Sequence, residues 1–264
     1  PLTRADADLS EPDTLVPLLE RVKPDAILNT AAYTDVEGAE ENEALATRIN
    51  AEAPRLMALY AAKAQIPFLH VSTDYVFDGS KPTAYTETDA TNPLNAYGRS
   101  KRAGEEAVLA TYPQAIICRV SWLYDTEGKN FLTTIMRRAR EQAELRVVND
   151  QHGAPCFARD VARGMALVLS HMEQRTARGI FHLTNTGETS WHGFAEAMVA
   201  EMKKHEALPL QTVTPVPSEA YPTKACRPKN SRLDGSRLAR EFDIVLPSWQ
   251  DALMRAMKEI YATH

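Results

Sequence analysis

The sequence predicts an α/β fold: a doubly wound parallel sheet with helices on both faces, followed by a smaller, loop-rich C-terminal part. Three observations carry this. Short β-rich runs alternate with longer helical patterns, as strand–helix–strand units require. The strand candidates are largely apolar rather than alternating, which fits strands covered on both faces. After about residue 150 the texture changes, and Pro215, Pro217, Pro222 and Pro228 crowd one segment.

Taken in order, "SEPDTLVPLLERV" reads as a helix with Ser10 as N-cap and Pro12 in its first turn. Pro17 should kink or restart it. "DAILNTA" (25–31) reads as a strand, and "AEAPRLMALYAAKAQ" as a helix with Leu56, Leu59 and Tyr60 at helical spacing. "PFLHVS" (67–72), "AIICRVS" (115–121), "LRVVN" (145–149) and "GIFHLT" (179–184) are further strands. "KRAGEEAVLATY", "NFLTTIMRRAREQ" and "SWHGFAEAMVAEMKK" are helical. The proline-rich segment is expected to be an ordered but largely irregular loop, and "SWQDALMRAMKEIYATH" closes the chain as a helix. No internal repeat or low-complexity tract interrupts this order.

The composition narrows the function classes. The 264 residues are 44% hydrophobic and 25% charged, a globular make-up long enough for one large or two modest domains. A net charge of -5 implies no basic face for nucleic acid. Cys118, Cys156 and Cys226 are far apart, which reads as reduced thiols in a cytoplasmic protein. The histidines are dispersed without HxxxH or HExxH spacing, so no built-in metal site is expected. No apolar run approaches the ~20 residues of a membrane helix, and no signal peptide opens the chain.

"NAYGRSK" (95–101) places Tyr97 one helical turn before Lys101, on one face. Free tyrosine, with a pKa of about 10, exchanges protons poorly at neutral pH. A nearby ammonium favours the phenolate, and a tyrosine so tuned can protonate a carbonyl oxygen while hydride reaches the carbon. Taken alone, the spacing also describes an ordinary exposed pair. A second element adds weight: "FLHVSTDYVFDG" begins as a buried strand and breaks into a polar loop at Ser72, Thr73 and Asp74. Open α/β sheets bind ligands just beyond the carboxyl ends of strands, although a Ser/Thr turn also ends strands for local reasons. Third, "NTAAYTD" (29–35) ends the preceding strand with small residues that would let a flat cofactor approach the backbone, or would serve tight helix–sheet packing.

A small-residue turn, then S-T-D at a strand end, then Y-x-x-x-K resembles the extended short-chain dehydrogenase/reductases. "PLNAYGRSK", "SWLY", "NDQHGAP", "YPTKACRPKNSRLD" and "LPSWQDAL" extend the resemblance over essentially the whole chain, to members reducing nucleotide-linked 4-keto-6-deoxyhexoses. The resemblance implies a Rossmann-like fold, with residues 1–150 binding the dinucleotide. Residues 151–264 would mainly bind substrate, some segments returning to the core. It implies NADPH or NADH as cofactor, a nucleotide-sugar substrate and no resident metal, and leaves a homodimer open. Tyr97 would be the catalytic acid, and Lys101 would lower its pKa and hold the nicotinamide ribose. Thr73 would complete the triad. Thr73 and Asp74 would contact the sugar, and Trp122 would lie against the hexose rather than in the core. Ala31, Ala32 and Tyr33 match the stretch against the cofactor, and Asp8 and Leu9 the pair near the adenine. Arg227 and Asn230 are candidates for the substrate diphosphate, since a guanidinium suits that anion; a salt bridge is the alternative for Arg227. Arg4 stands where a basic residue would favour a 2′-phosphate.

One part of the pattern is missing. No glycine-rich turn for the cofactor pyrophosphate occurs. "PLTRADADLS" looks like the end of a second strand, so the chain is read as N-terminally incomplete, with the first βαβ part absent. Two other readings compete with the reductase: a non-catalytic relative such as the regulatory subunit of methionine adenosyltransferase, and an epimerase or dehydratase that recycles its cofactor.

Overall fold

The computed structural model describes residues 1–172 and 174–262. A 3-10 turn over Pro12–Thr14 runs straight into helix α1 (Leu15–Val22). Pro17 lies in the first turn of α1, where its missing N–H had no carbonyl to reach, so the helix restarts there unbroken. Ser10 is not the N-cap. Its N–H and hydroxyl both donate to Asp8 Oδ1, at 2.9 and 2.8 Å.

Strand β1 (Ile27–Asn29) is shorter than 25–31. The chain leaves it to enter α2 (Val36–Glu41), capped by Asp35, then α3 (Glu43–Thr47), a π-helical turn over Arg48–Glu52, and α4 (Ala53–Ala64). The buried face of α4 is Ala53, Pro54, Met57, Ala58, Tyr60 and Ala61. Leu59 is exposed and Leu56 only half-buried. The alanines, not the leucines, set the contact, because small side chains let α4 pack closely.

Then come β2 (Phe68–Thr73), α5 (Ala96–Thr111), β3 (Ile116–Val120), β4 (Leu123–Tyr124) and α6 (Phe131–Glu141). They are followed by β5 (Glu144–Val148), β6 (His152–Gly153), β7 (Cys156–Phe157), α7 (Ala158–His171) and β8 (Gly179–His182). The chain ends with β9 (Thr189–Ser190), α8 (Trp191–Met202), β10 (Thr212–Val216), α9 (Ser236–Phe242) and α10 (Trp249–Ala262). The last two residues of the predicted closing helix lie outside the described residues.

The main sheet is parallel, in the order β1-β2-β3-β8. On one face α1, α4 and α5 bring Leu15, Leu19, Met57 and Val108 onto Ile27, Phe68 and Ile117. On the other, α7 and α9 bring Val161, Val168, Leu238 and Phe242 onto Leu69, Ile116, Cys118 and Phe181. This is the doubly wound, Rossmann-like α/β arrangement. A second core belongs to the smaller part, where α6, α8 and α10 meet through Ile135, Phe194, Met198 and Leu253.

Two further expectations change. "LRVVN" is not in the main sheet: β5 pairs in parallel with β10, Leu145 opposite Val213. Its burial alternates, Leu145 and Val147 inward and Glu144 and Arg146 outward, as a strand packed on one face requires. The proline-rich segment likewise begins as a strand. Pro215 is tolerated in β10 because a two-stranded sheet leaves one edge without ladder bonds. At the other end of the molecule, β1 pairs only with β2 among the described residues, Leu28 is 42% exposed, and residues 4–10 form turns and coil. No helix of the described residues is long and apolar enough to cross a membrane.

Candidate active site

β2 delivers Ser72, Thr73 and Asp74, all buried, to the carboxyl edge of the sheet. Thr73 Oγ1 donates to Asp74 Oδ1 at 2.9 Å and accepts from Tyr75 N at 3.2 Å. Burial pushes the Asp74 carboxyl up to about 6, against the pull of the nearby Ser231 and Thr73 hydroxyls.

α5 starts where it does because Asn95 caps it. Its Oδ1 accepts from Gly98 N at 2.8 Å, while its Nδ2 donates to Cys226 O at 2.8 Å and so ties the helix start to the proline-rich segment. Gly98 is required by contact: a Cβ there would stand 2.3 Å from Tyr75 O. Gly104, two turns on, lets α5 approach Asn50 O, which a Cβ would meet at 2.1 Å.

The structure thereby brings Thr73 and Tyr97 together, with Lys101 one turn below. The half-buried Tyr97 packs edge-on against Tyr75, ring centroids 5.8 Å apart. Burial pushes its phenol up to about 12, the Thr73 hydroxyl opposing the shift and Asp74 adding to it. The Lys101 ammonium donates to Val71 O at 2.6 Å. Lys101 is itself buried, which brings its pKa down to about 8.

Ala31, Ala32 and Tyr33 follow β1. Asn50 clamps Tyr33 on both sides, accepting from its N–H at 2.8 Å and donating to its carbonyl at 3.0 Å. Ala31 remains exposed and Ala32 half-exposed. This held stretch of small residues, with Tyr97 and Lys101, fits the nicotinamide-ribose half of a dinucleotide. Among the described residues no glycine-rich strand-to-helix turn stands before β1 to take a pyrophosphate. Asp8 is engaged with Ser10, and its carboxylate stands 3.8 Å from the exposed Arg4. Leu9 packs inward with Leu15, Leu19 and Ile27.

Three residues expected on the substrate side behave differently. Trp122, two residues beyond β3 and at positive φ (43°), is buried. It stacks on Trp191 at 3.6 Å and against Gly153, where a Cβ would come within 2.6 Å of the ring. The stack and the glycine backbone occupy those faces of the indole. Asn230 is a strut: its amide donates to Lys81 O and Thr83 O at 2.6 and 2.8 Å, and its oxygen accepts twice from Arg232. That leaves its side chain no donor for a diphosphate. Arg227 forms the salt bridge weighed against anion binding, to Glu37 at 2.7 Å, beside Tyr75.

Glu37, Tyr75 and Trp191 are site-bordering residues that the sequence reading missed. Their partners lie far along the chain, and no local spacing announces them. Among the described residues no group of three or more His, Cys, Asp or Glu is placed to hold a metal.

A parallel α/β sheet with Thr73, Tyr97 and Lys101 at its carboxyl edge defines a short-chain dehydrogenase/reductase-like protein. The family model described as the RmlD substrate binding domain matches residues 1–262, and the chain belongs to that family. It is 43% identical to a dTDP-4-dehydrorhamnose reductase of Burkholderia thailandensis, over 98% of this chain and 90% of the relative. It is 39% identical to that of Salmonella typhimurium, over 97% and 86%. A crystal structure of the Bacillus anthracis dTDP-4-dehydrorhamnose reductase in complex with NADP is similar, with a TM-score of 0.91 and 32% identity, over 98% of this chain and 89% of that one.

Proposed function

We propose that the chain reduces the C4 keto group of dTDP-4-dehydro-L-rhamnose to dTDP-L-rhamnose, with NADPH or NADH as reductant. The single observation that carries this reading is the meeting of the Thr73 hydroxyl and the Tyr97 phenol at the carboxyl end of β2. The shared name of the relatives supplies the substrate.

The reduced nicotinamide, when bound, supplies hydride to C4. Tyr97 gives its proton to the C4 oxygen as the C–H bond forms, and the phenolate left behind is reprotonated from water. A phenol raised to about 12 keeps its proton at neutral pH until a carbonyl oxygen gains charge beside it. Thr73 hydrogen-bonds the same oxygen, and the Lys101 charge stabilises the phenolate. Asp74 accepts from a sugar hydroxyl. Arg227 is the diphosphate ligand, its guanidinium exchanging Glu37 for phosphate oxygens. Asn230 supports that loop, and Trp122 supports the sugar pocket from within the aromatic stack.

Residues 1–150 serve mainly the dinucleotide and 151–264 mainly the substrate, although β5 sits with the second part and β8 with the first. A cytoplasmic homodimer is part of the proposal. Incubation with substrate and NADPH, followed by product analysis, tests the reaction. A dTDP-L-rhamnose product supports it, and an epimerised keto sugar would replace it.

A further inference from the structure

Tyr97, Lys101 and Glu105 stand four residues apart in α5, so their side chains occupy one face in successive turns. The reaction above uses the first two. Glu105 is fully buried, and Arg119 of β3 grips it with a two-pronged pair, Nε to Oε1 and Nη2 to Oε2, both 2.7 Å. Arg119 is buried too, lies 4.9 Å over the Phe77 ring, and leaves its Nη1 without a partner. A buried ion pair adds little stability, because desolvation offsets the attraction. The position of this pair suggests another use.

Lys101 is a buried ammonium whose hydrogen bond goes to a neutral carbonyl. Such a group loses its proton unless a negative charge compensates it. From β2 it faces His70, which is bonded to Asn29 of β1 and kept neutral by burial and by Lys101 itself. Beyond β2 lies Asp74, whose carboxyl is raised, and from β3 comes Arg119, a second cation. On α5 itself, Arg102 is held by Glu106 at 2.8 Å, and its Nη1 stands 3.9 Å from Glu105. In the helical layer outside α5, Glu40 and Glu43 bind Ala96 N and Arg99 near the N-terminal end, while Arg48, Glu52 and Arg55 are exposed. That leaves Glu105 as the buried carboxylate one turn from Lys101, and its charge favours the protonated amine against burial.

We propose that Glu105, braced by Arg119, is a positioning residue that keeps Lys101 charged beneath Tyr97. Arg119 fixes the carboxylate in place, and Glu105 acts on the reaction only through Lys101. The functional consequence rests on the reductase reading, but the charge of Lys101 can be measured without it.

The test is an NMR titration of Lys101 in protein labelled at lysine Cε, its resonance assigned from Lys101→Arg. In Glu105→Gln the Lys101 midpoint should fall by about one pH unit or more, whereas Glu105→Asp, which keeps the charge, should stay near wild type. Should Glu105→Gln fail to fold, Glu105→Gln/Arg119→Met removes both charges, leaves no unpaired ion, and should show the same fall. The alkaline limb of kcat/KM should move with Lys101, giving about a tenfold loss above the limb and less than about a twofold change at pH 6. An unmoved Lys101 midpoint would overturn the inference, as would a uniform loss of activity at every pH. If Lys101 shifts but no variant or wild type oxidises NADPH, the reductase reading falls and the charge-setting role stands.

Discussion

Trp122 lies flat on Trp191, with ring centroids 3.6 Å apart and planes 10° from parallel. Phe131 leans on Trp191 at 4.5 Å and joins the stack to the core formed by α6, α8 and α10. Because the indole is buried there, Trp122→Ala should cost about 3–5 kcal/mol of stability, read as a lower Tm. Any change in KM should follow that loss. A normal Tm with a raised KM would return Trp122 to the sugar-contacting role that the resemblance implied.

Tyr97→Phe removes only the transferable proton. The ring, its edge contact with Tyr75 and the α5 packing all remain. Turnover should fall by about 10²–10⁴-fold with little change in Tm or KM. A variant with near-normal kcat would show that another group supplies the proton.

Arg227 and Glu37 set up an opposed pair of effects. If the guanidinium must leave Glu37 to bind a diphosphate, Arg227→Ala should raise KM. Glu37→Gln, which weakens the competing partner, should lower it or leave it unchanged, and kcat should move little in either variant. Glu37 also accepts from Lys224 N at 2.7 Å, so a Tm measurement should accompany the kinetics. If both substitutions raise KM equally, the salt bridge orders the loop and Arg227 is no diphosphate ligand.

The legibility of the sequence was uneven for physical reasons. Thr73, Tyr97 and Lys101 could be read because their relation is local: a strand that breaks into polar residues and one turn of helix. The main strands could be read from their continuous apolar runs. "LRVVN" was misplaced because such a run shows that a strand is buried but not which sheet it joins. Leu59 stands at helical spacing with Leu56 and Tyr60 yet is exposed, because spacing defines a stripe while the packing uses the alanine stripe beside it. Trp191, Glu37 and the Glu105–Arg119 pair involve partners from separate elements, and only the tertiary fold names them.

The loop between β2 and α5 should show a defined acid sensitivity. Lys81 and the Thr86 N–H bring Asp89 down to about 2 from an ordinary value of 3.8. The folded pKa is depressed, so its stabilising effect is complete above about pH 4 and fades as pH falls toward about 2. Asp89→Asn should therefore be less stable than wild type at pH 6, by on the order of 1–2 kcal/mol after allowing for solvent screening. Denaturant melts should show that gap narrowing between about pH 4 and pH 2. A gap independent of pH would assign the loss to packing.

The most direct test of the central claim is stoichiometry. The protein is mixed with NADPH and dTDP-4-dehydro-L-rhamnose, nicotinamide absorbance is followed, and the sugar nucleotide is quantified by NMR. One NADPH should be oxidised for each dTDP-L-rhamnose formed, and omission of either reactant should abolish both changes. Sugar conversion without net NADPH oxidation, or binding without any conversion, would contradict the account.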